Sequence, residues 1–247
     1  MKLAVMQPYF FPYLGYFDLF NMVDEWIFFD SPQYMRHHWL NRNRILHPQS
    51  GWQYVIVPLR KHHQKTPLNE IEINMESDWR GRIVRQLRHY QKHAPHFKAV
   101  MCFLEECLAL ASPNLVETNI RTLRRTCQRL GIEKPTHVYS RMNLALPPGG
   151  EGPGDWALRI SRAHGATEYI NRPGGAGLFA EQQFREHHLK LTIQSWTDMP
   201  YTCGKYKFQP GLSILDVMMW NSCEQIRAYL DTFRLGQPKG VADARVD

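Results

Sequence analysis

MKLAVMQPYFFPYLGYFDLFNMVDEWIFFD, residues 1–30, decides the fold class. The apolar run Leu3–Met6 stops at Gln7-Pro8, because proline cannot donate into a strand ladder. From Gly15 onward, Phe17, Leu19, Phe20 and Val23 recur at the spacing of one helical face. Trp26-Ile27-Phe28-Phe29 is a second short apolar run, closed by Asp30. Strand, aromatic Pro/Gly loop, helix, strand is a βαβ unit. In a parallel sheet the carboxyl ends of the strands line a ligand crevice, which puts Gln7 and Asp30 on one rim.

Working outward, the stretch from Ser31 to Gln53 is polar, aromatic and basic, and reads as a long loop or a short hairpin. A strand in GWQYVIVPL ends at Pro58, and alternation follows in LNEIEIN, residues 68–74. Between Trp79 and Arg129 the period becomes helical, with Ala94-Pro95 and Ser112-Pro113 as breaks. Ser112 reads as an N-cap with proline at the first helical position. Alternation then returns: strands at 136–140, 166–171 and 190–196, and helices at 156–164 and 179–188. A last helix is predicted over 212–233, and a tail from Gly236 is expected to be disordered. This rhythm predicts an α/β protein with a Rossmann-like, mostly parallel sheet. It forms a single domain over residues 1–235, with a helical insertion at about 79–131.

Four polar residues, Gln7, Asp30, Ser140 and Asn171, end four apolar strands. They read either as a shared strand-end site or as ordinary turn chemistry. HHWLNRNR, residues 37–44, is the densest polar cluster. His37 and His38 are candidates for a general base oriented by Asp30, and Asn41, Arg42, Asn43 and Arg44 for a phosphate clamp. The same segment also reads as a basic surface loop with Trp39 tucked into the core. Tyr9 and Trp39 are candidates to stack on a base or sugar.

The 247 residues carry a net charge of +7, which favours an anionic partner: a phosphorylated small molecule, nucleic acid or an anionic headgroup. No RNP, helix-turn-helix or zinc-finger pattern accompanies the charge, so nucleic acid is disfavoured. Five cysteines without CxxC spacing point to a reducing compartment and against a zinc ribbon. His89, His93 and His96 have helical spacing, but Pro95 interrupts them and Arg85, Arg88 and Lys92 surround them, so no metal is expected. RPGGAG, residues 172–177, lacks the GKS ending of a P-loop, and no GxSxG is present. No apolar run reaches the roughly 18–20 residues of a membrane span, and the start of the chain lacks a secretory pattern, so a cytoplasmic location is expected. Ser213 and Asp216 in FQPGLSILDVMMWN read as a helix cap and a first-turn dipole partner.

The loop QPYFFPYLGYFD resembles the first βα turn of nucleotidylyltransferases and pantothenate synthetases, where strand, proline, Gly-His and helix cradle a triphosphate. Here Tyr16 follows Gly15, so the phosphate-contacting histidine is missing. The resemblance implies a phosphate or nucleotide pocket, with the backbone N–H groups of the helix start as anion donors, but not adenylyl transfer. Taken together, QPYFFPYLGYFD, WLNRNRI…GWQYVIVP, EYINRPGG and PGLSILDVMMWNS resemble the WbqC family of bacterial proteins, in family order from about Met1 to Leu230. Members accompany genes for O-antigen and other surface polysaccharides. The resemblance therefore implies sugar modification: acyl or aminoacyl transfer to the amine of a nucleotide-linked aminodideoxy sugar, with a carrier protein or an activated amino acid as donor. Arg42, Arg44 and Arg85 would then bind the diphosphate, while Gln7 and Asn171 hydrogen-bond sugar hydroxyls or an oxyanion. The competing expectations are a nucleotide- or nucleic-acid-binding module and a non-catalytic accessory of polysaccharide assembly.

Overall fold

The computed structural model describes residues 1–150 and 152–234. Five strands form one sheet in the order β5-β2-β1-β6-β7, every neighbouring pair parallel. They are β1 (Lys2–Met6), β2 (Glu25–Phe28), β5 (Thr136–Val138), β6 (Glu168–Asn171) and β7 (Lys190–Ile193). Helix α1 (Leu14–Met22) joins β1 to β2, α5 (Pro153–Ala163) leads into β6, and α6 (Glu181–Glu186) joins β6 to β7.

Because side chains alternate along a strand, β1 sends Ala4 and Met6 to one face and Leu3 and Val5 to the other; β2 sends Trp26 and Phe28 one way and Ile27 the other. The first face carries α1 and a large aromatic core in which Phe20 stacks on Trp26 at 3.6 Å. The second carries Ala157, Leu158 and Ile160 of α5 and Phe184 of α6. Both faces are covered, as a parallel sheet requires.

Between β2 and β5 the chain makes a long excursion. It contains an antiparallel hairpin, β3 (Arg42–Leu46) with β4 (Trp52–Ile56), then α2 (Trp79–Leu87), α3 (Phe97–Ala109) and α4 (Leu115–Arg129). These helices bury Ile83, Leu104, Val116 and Leu123 in the first-face core. After β7, α7 (Ile214–Trp220) and α8 (Cys223–Arg234) join the same face.

Several local expectations are corrected. LNEIEIN is not a strand: a 3-10 turn occupies Leu68–Glu70, and only isolated bridges follow, Leu59 with Ile73 and Glu72 with Asn114. Asn114, not Ser112, caps α4, its Oδ1 accepting from the Glu117 N–H, while the Ser112 hydroxyl accepts from the Asn114 N–H. The last helix is two helices broken after Trp220, where the extended Asn221 ends α7. The tail expected from Gly236 lies outside the described residues.

Candidate functional site

Chain direction singles out one place on the sheet. From β1 the chain leaves through α1 on the first face toward β2; from β6 it leaves through α6 on the second face toward β7. The carboxyl ends of adjacent β1 and β6 are therefore a topological switch point, where the diverging loops leave a crevice.

The β1 side is the aromatic loop Gln7–Tyr13. Its prolines offer no N–H, and its carbonyls are satisfied from elsewhere in the chain. Asn119 of α4 donates through Nδ2 to the carbonyls of Pro8 (2.8 Å) and Leu40 (2.7 Å). Asn43 of β3 donates to those of Phe10 (3.1 Å) and Phe11 (2.9 Å), and Ser213 Oγ donates to that of Phe11 (2.7 Å). The Ile214 N–H closes the row on the Pro12 carbonyl. This clamp holds Phe11 at φ +39°, a left-handed backbone costly for a residue with a Cβ. Strain held by converging donors marks a loop whose shape is specified, not incidental.

The loop walls a cavity of about 200 Å³ with Tyr9, Pro12 and Tyr13; Trp39, Asn43, Arg44, Arg172 and Gly211 complete it. Arg172 follows β6 directly. Its guanidinium lies over the Tyr9 ring at 5.1 Å, with Nη2 3.4 Å from the Tyr9 hydroxyl. Burial pushes the Tyr13 hydroxyl pKa up, and the neighbouring Arg172 partly opposes it, so Tyr13 stays a protonated donor. Arg44, from β3, lies between the rings of Trp39 (5.2 Å) and Trp52 (5.1 Å) and donates to the Gly211 carbonyl at 3.1 Å. Among the described residues neither arginine pairs with a carboxylate, and the Nε–H of each is buried without an acceptor. Two such cations beside aromatic faces are suited to an anion carrying a flat or ring-shaped group.

The structure brings Tyr9, Trp39, Asn43 and Arg44 to this cavity and gives the other sequence candidates different work. Asn43 is buried and acts as the clamp described above. Asn41 accepts from the Tyr34 hydroxyl and donates to the Val57 carbonyl, fixing the hairpin's entrance. Arg42 donates to the His37 carbonyl and stacks over Tyr54 at 4.4 Å. His37 and His38 are exposed on the loop leading to Trp39. Asp30 is buried at the end of β2, with Oδ1 accepting from the Ser140 N–H (3.0 Å) and Oδ2 from its hydroxyl (2.6 Å). The carboxylate thus staples β2 to the turn after β5, and neither imidazole is bonded to it. Asn171 accepts from the Arg172 N–H at 2.6 Å and donates to the Tyr169 hydroxyl, so it shapes the turn that presents Arg172. The Gln7 carbonyl accepts from the Tyr16 hydroxyl. Arg85 pairs with Asp78 on an exposed helix face, apart from the cavity.

Sequence reasoning missed Arg172 and Tyr13. Arg172 carried one usable signal, its place immediately after an apolar strand, but its value depends on β6 lying beside β1. The glycine of the aromatic loop also differs from the phosphate-cradle expectation. A Cβ on Gly15 would sit 2.4 Å from the Tyr13 ring and 2.9 Å from Trp196. The space beside Gly15 is filled by the Tyr13 and Trp196 rings, and the basic groups at the cavity are Arg44 and Arg172.

The fold and the cavity define the class: a five-stranded parallel α/β protein with a basic, aromatic cavity at its topological switch point. The chain belongs to the WbqC-like protein family, whose model matches residues 7–228. The uncharacterized protein Rv1507c of Mycobacterium tuberculosis is 31% identical over 224 residues, covering 88% of this chain and 92% of that protein. No solved structure matches. Among the described residues no helix is long and apolar enough to cross a membrane.

Proposed function

We propose that the chain binds a nucleotide-linked sugar by its diphosphate at Arg44 and Arg172, and acts as an acyl- or aminoacyltransferase toward an amino sugar of surface-polysaccharide biosynthesis. The observation that carries the binding step is the pair of arginines that, among the described residues, have no carboxylate partner and an unsatisfied Nε–H each, at one aromatic-walled cavity. A volume of about 200 Å³ falls below the roughly 300–1,000 Å³ of sites that engulf a drug-sized ligand. The cavity therefore takes the diphosphate and one ring, with the rest of the ligand at its mouth. Tyr9, Tyr13 and Trp39 supply the faces against which that ring packs.

Family membership supports the finer step. Amide formation requires the sugar amine to lose its ammonium proton before its lone pair attacks an acyl carbonyl. The acyl–sulfur or acyl–phosphate bond of the donor then breaks to release the carrier thiol or the activating group. His37 and His38, on the exposed loop leading to Trp39, are the groups assigned to accept that proton. A second reading, binding without chemistry, is favoured by one observation: Asp30 is taken by Ser140 and orients neither imidazole.

A thermal-shift panel of UDP-, dTDP- and GDP-linked sugars, amino sugars included, tests the binding step against ATP, coenzyme A and the free sugars. Nucleotide-linked sugars should raise the melting temperature of the wild type, and the increment should vanish in an R44M/R172M double variant. Absence of any shift with diphosphate compounds overturns the proposal. Binding without amide formation in the presence of acyl-CoA or activated amino acids removes the catalytic step, and turnover unchanged in an H37N/H38N variant removes the two histidines from it.

A further inference from the structure

A different cluster lies at the opposite, amino-terminal end of the sheet, away from the arginine cavity. Glu25 opens β2, His137 sits in the edge strand β5 opposite Ile27, and His164 is the residue after α5. Three segments far apart in sequence thus bring their side chains to one point. His137 Nε2 is 2.9 Å and His164 Nε2 2.8 Å from the same Glu25 oxygen, Oε2. One ligand atom from each of the three residues lies within 4.8 Å of the other two. The imidazole rings stand edge to face, 5.2 Å apart, and both Nε2 atoms face the same carboxylate oxygen.

We propose that Glu25, His137 and His164 form a binding site for a divalent transition-metal ion of the zinc type, with a fourth position left to water. Two imidazoles and a carboxylate are the donor set of open zinc sites, and the absence of a thiolate disfavours soft ions. Tetrahedral ligation at about 2.0–2.1 Å separates ligand atoms by about 3.3 Å, so the histidines need to back away from Oε2 by roughly 0.5 Å to admit the ion. Their side chains are 37% and 17% exposed and that of Glu25 27%, which leaves a path for the ion and its water. Among the described residues no lysine or arginine pairs with Glu25, so no fixed cation already occupies the carboxylate. The ion would pin the three-residue edge strand β5 to the end of α5, which packs under β1 and β6.

The experiment is a titration of the EDTA-treated full chain with Zn²⁺, followed by competition with a chromophoric chelator, and with Co²⁺, followed by visible absorption. One tight ion per chain is expected, together with the intense absorption of tetrahedral Co²⁺ and a rise in melting temperature with Zn²⁺. E25Q, H137N and H164N should each weaken that binding more than about 100-fold, whereas H89N/H93N should leave it unchanged. Circular dichroism and the metal-free melt of each variant separate loss of the site from loss of the fold. No stoichiometric ion in the wild type, which leaves a histidine–carboxylate ion pair only, overturns the proposal. So does binding that survives H164N or E25Q.

Discussion

Replacing Arg172 with methionine separates the stability of the empty protein from its affinity for an anion, and the two should move in opposite directions. In the free protein the side chain has no carboxylate partner among the described residues, and its Nε–H is buried without an acceptor among them. An unsatisfied buried donor costs about 1–3 kcal/mol. Against that stand the stacking on Tyr9, about 0.5–1 kcal/mol at a half-exposed site, and a long 3.4 Å contact with the Tyr9 hydroxyl that adds little. The net expectation is that R172M is between neutral and about 2 kcal/mol more stable than wild type. For a chain of this size that corresponds to a rise of up to about 8 °C in melting temperature. The same change removes a charge-assisted bond to the ligand, about 1.5–3 kcal/mol, or roughly 10- to 150-fold in dissociation constant. Urea denaturation gives the first number and isothermal titration with the best nucleotide-linked sugar of the thermal panel gives the second. An R172M protein that is less stable by more than about 1 kcal/mol and binds that ligand as tightly as wild type refutes the reasoning on both counts.

Asp30→Asn should lower stability by about 1–3 kcal/mol in chemical denaturation, because the carboxylate accepts two bonds from Ser140 in a buried setting, and should leave ligand affinity within twofold. Gly15→Ala should displace the Tyr13 ring, costing about 1–3 kcal/mol by overpacking and weakening ligand binding together, as melting and titration will show. Asp216 predicts a pH effect. Burial pushes its carboxyl up to about 6 despite bonds from Tyr90, the Leu46 N–H and Tyr201. Since the folded value lies above the unfolded one, its stabilising contribution is complete below about pH 4 and is lost as pH rises through about 6, a total of about 3 kcal/mol. The difference between wild type and D216N in urea melts at pH 4, 5, 6 and 7 should trace that loss; a difference independent of pH would show that Asp216 does not titrate as described.

What was legible in the sequence was local. The run Leu3–Met6 broken by Pro8, the stripe of α1, and the strand Trp26–Phe28 each follow from neighbouring residues, and the alternation after Thr136 identified the remaining strands. The order of those strands was not legible, since nothing near Glu168 or Lys2 announces that they will be neighbours. With the order hidden, Arg172 was a turn residue and Tyr13 part of an aromatic run. Asp30 shows the same limit: its hydrogen-bond partner Ser140 lies 110 positions away, whereas the histidines of residues 37 and 38 are close in sequence. Asp216 read as a first-turn helix acid, and Tyr90, 126 positions earlier, gave no hint that the two would meet in the core. Charge, periodicity and turn chemistry fix which pieces exist; long-range packing decides which of their polar groups remain free for a ligand.

The clamp on the aromatic loop also sets a timetable. Phe11 leaves the ribosome well before the hydroxyl that holds its carbonyl, which belongs to Ser213, 202 positions later. At about 5–20 residues per second, roughly 10–40 s of synthesis separate the two. Through that interval the left-handed turn at Phe11 lacks one of its two carbonyl donors, and Gly211, which accepts from Arg44, has not yet been made. The cavity is thus a late product of translation, completed only when residues 172–213 fold back over the aromatic loop.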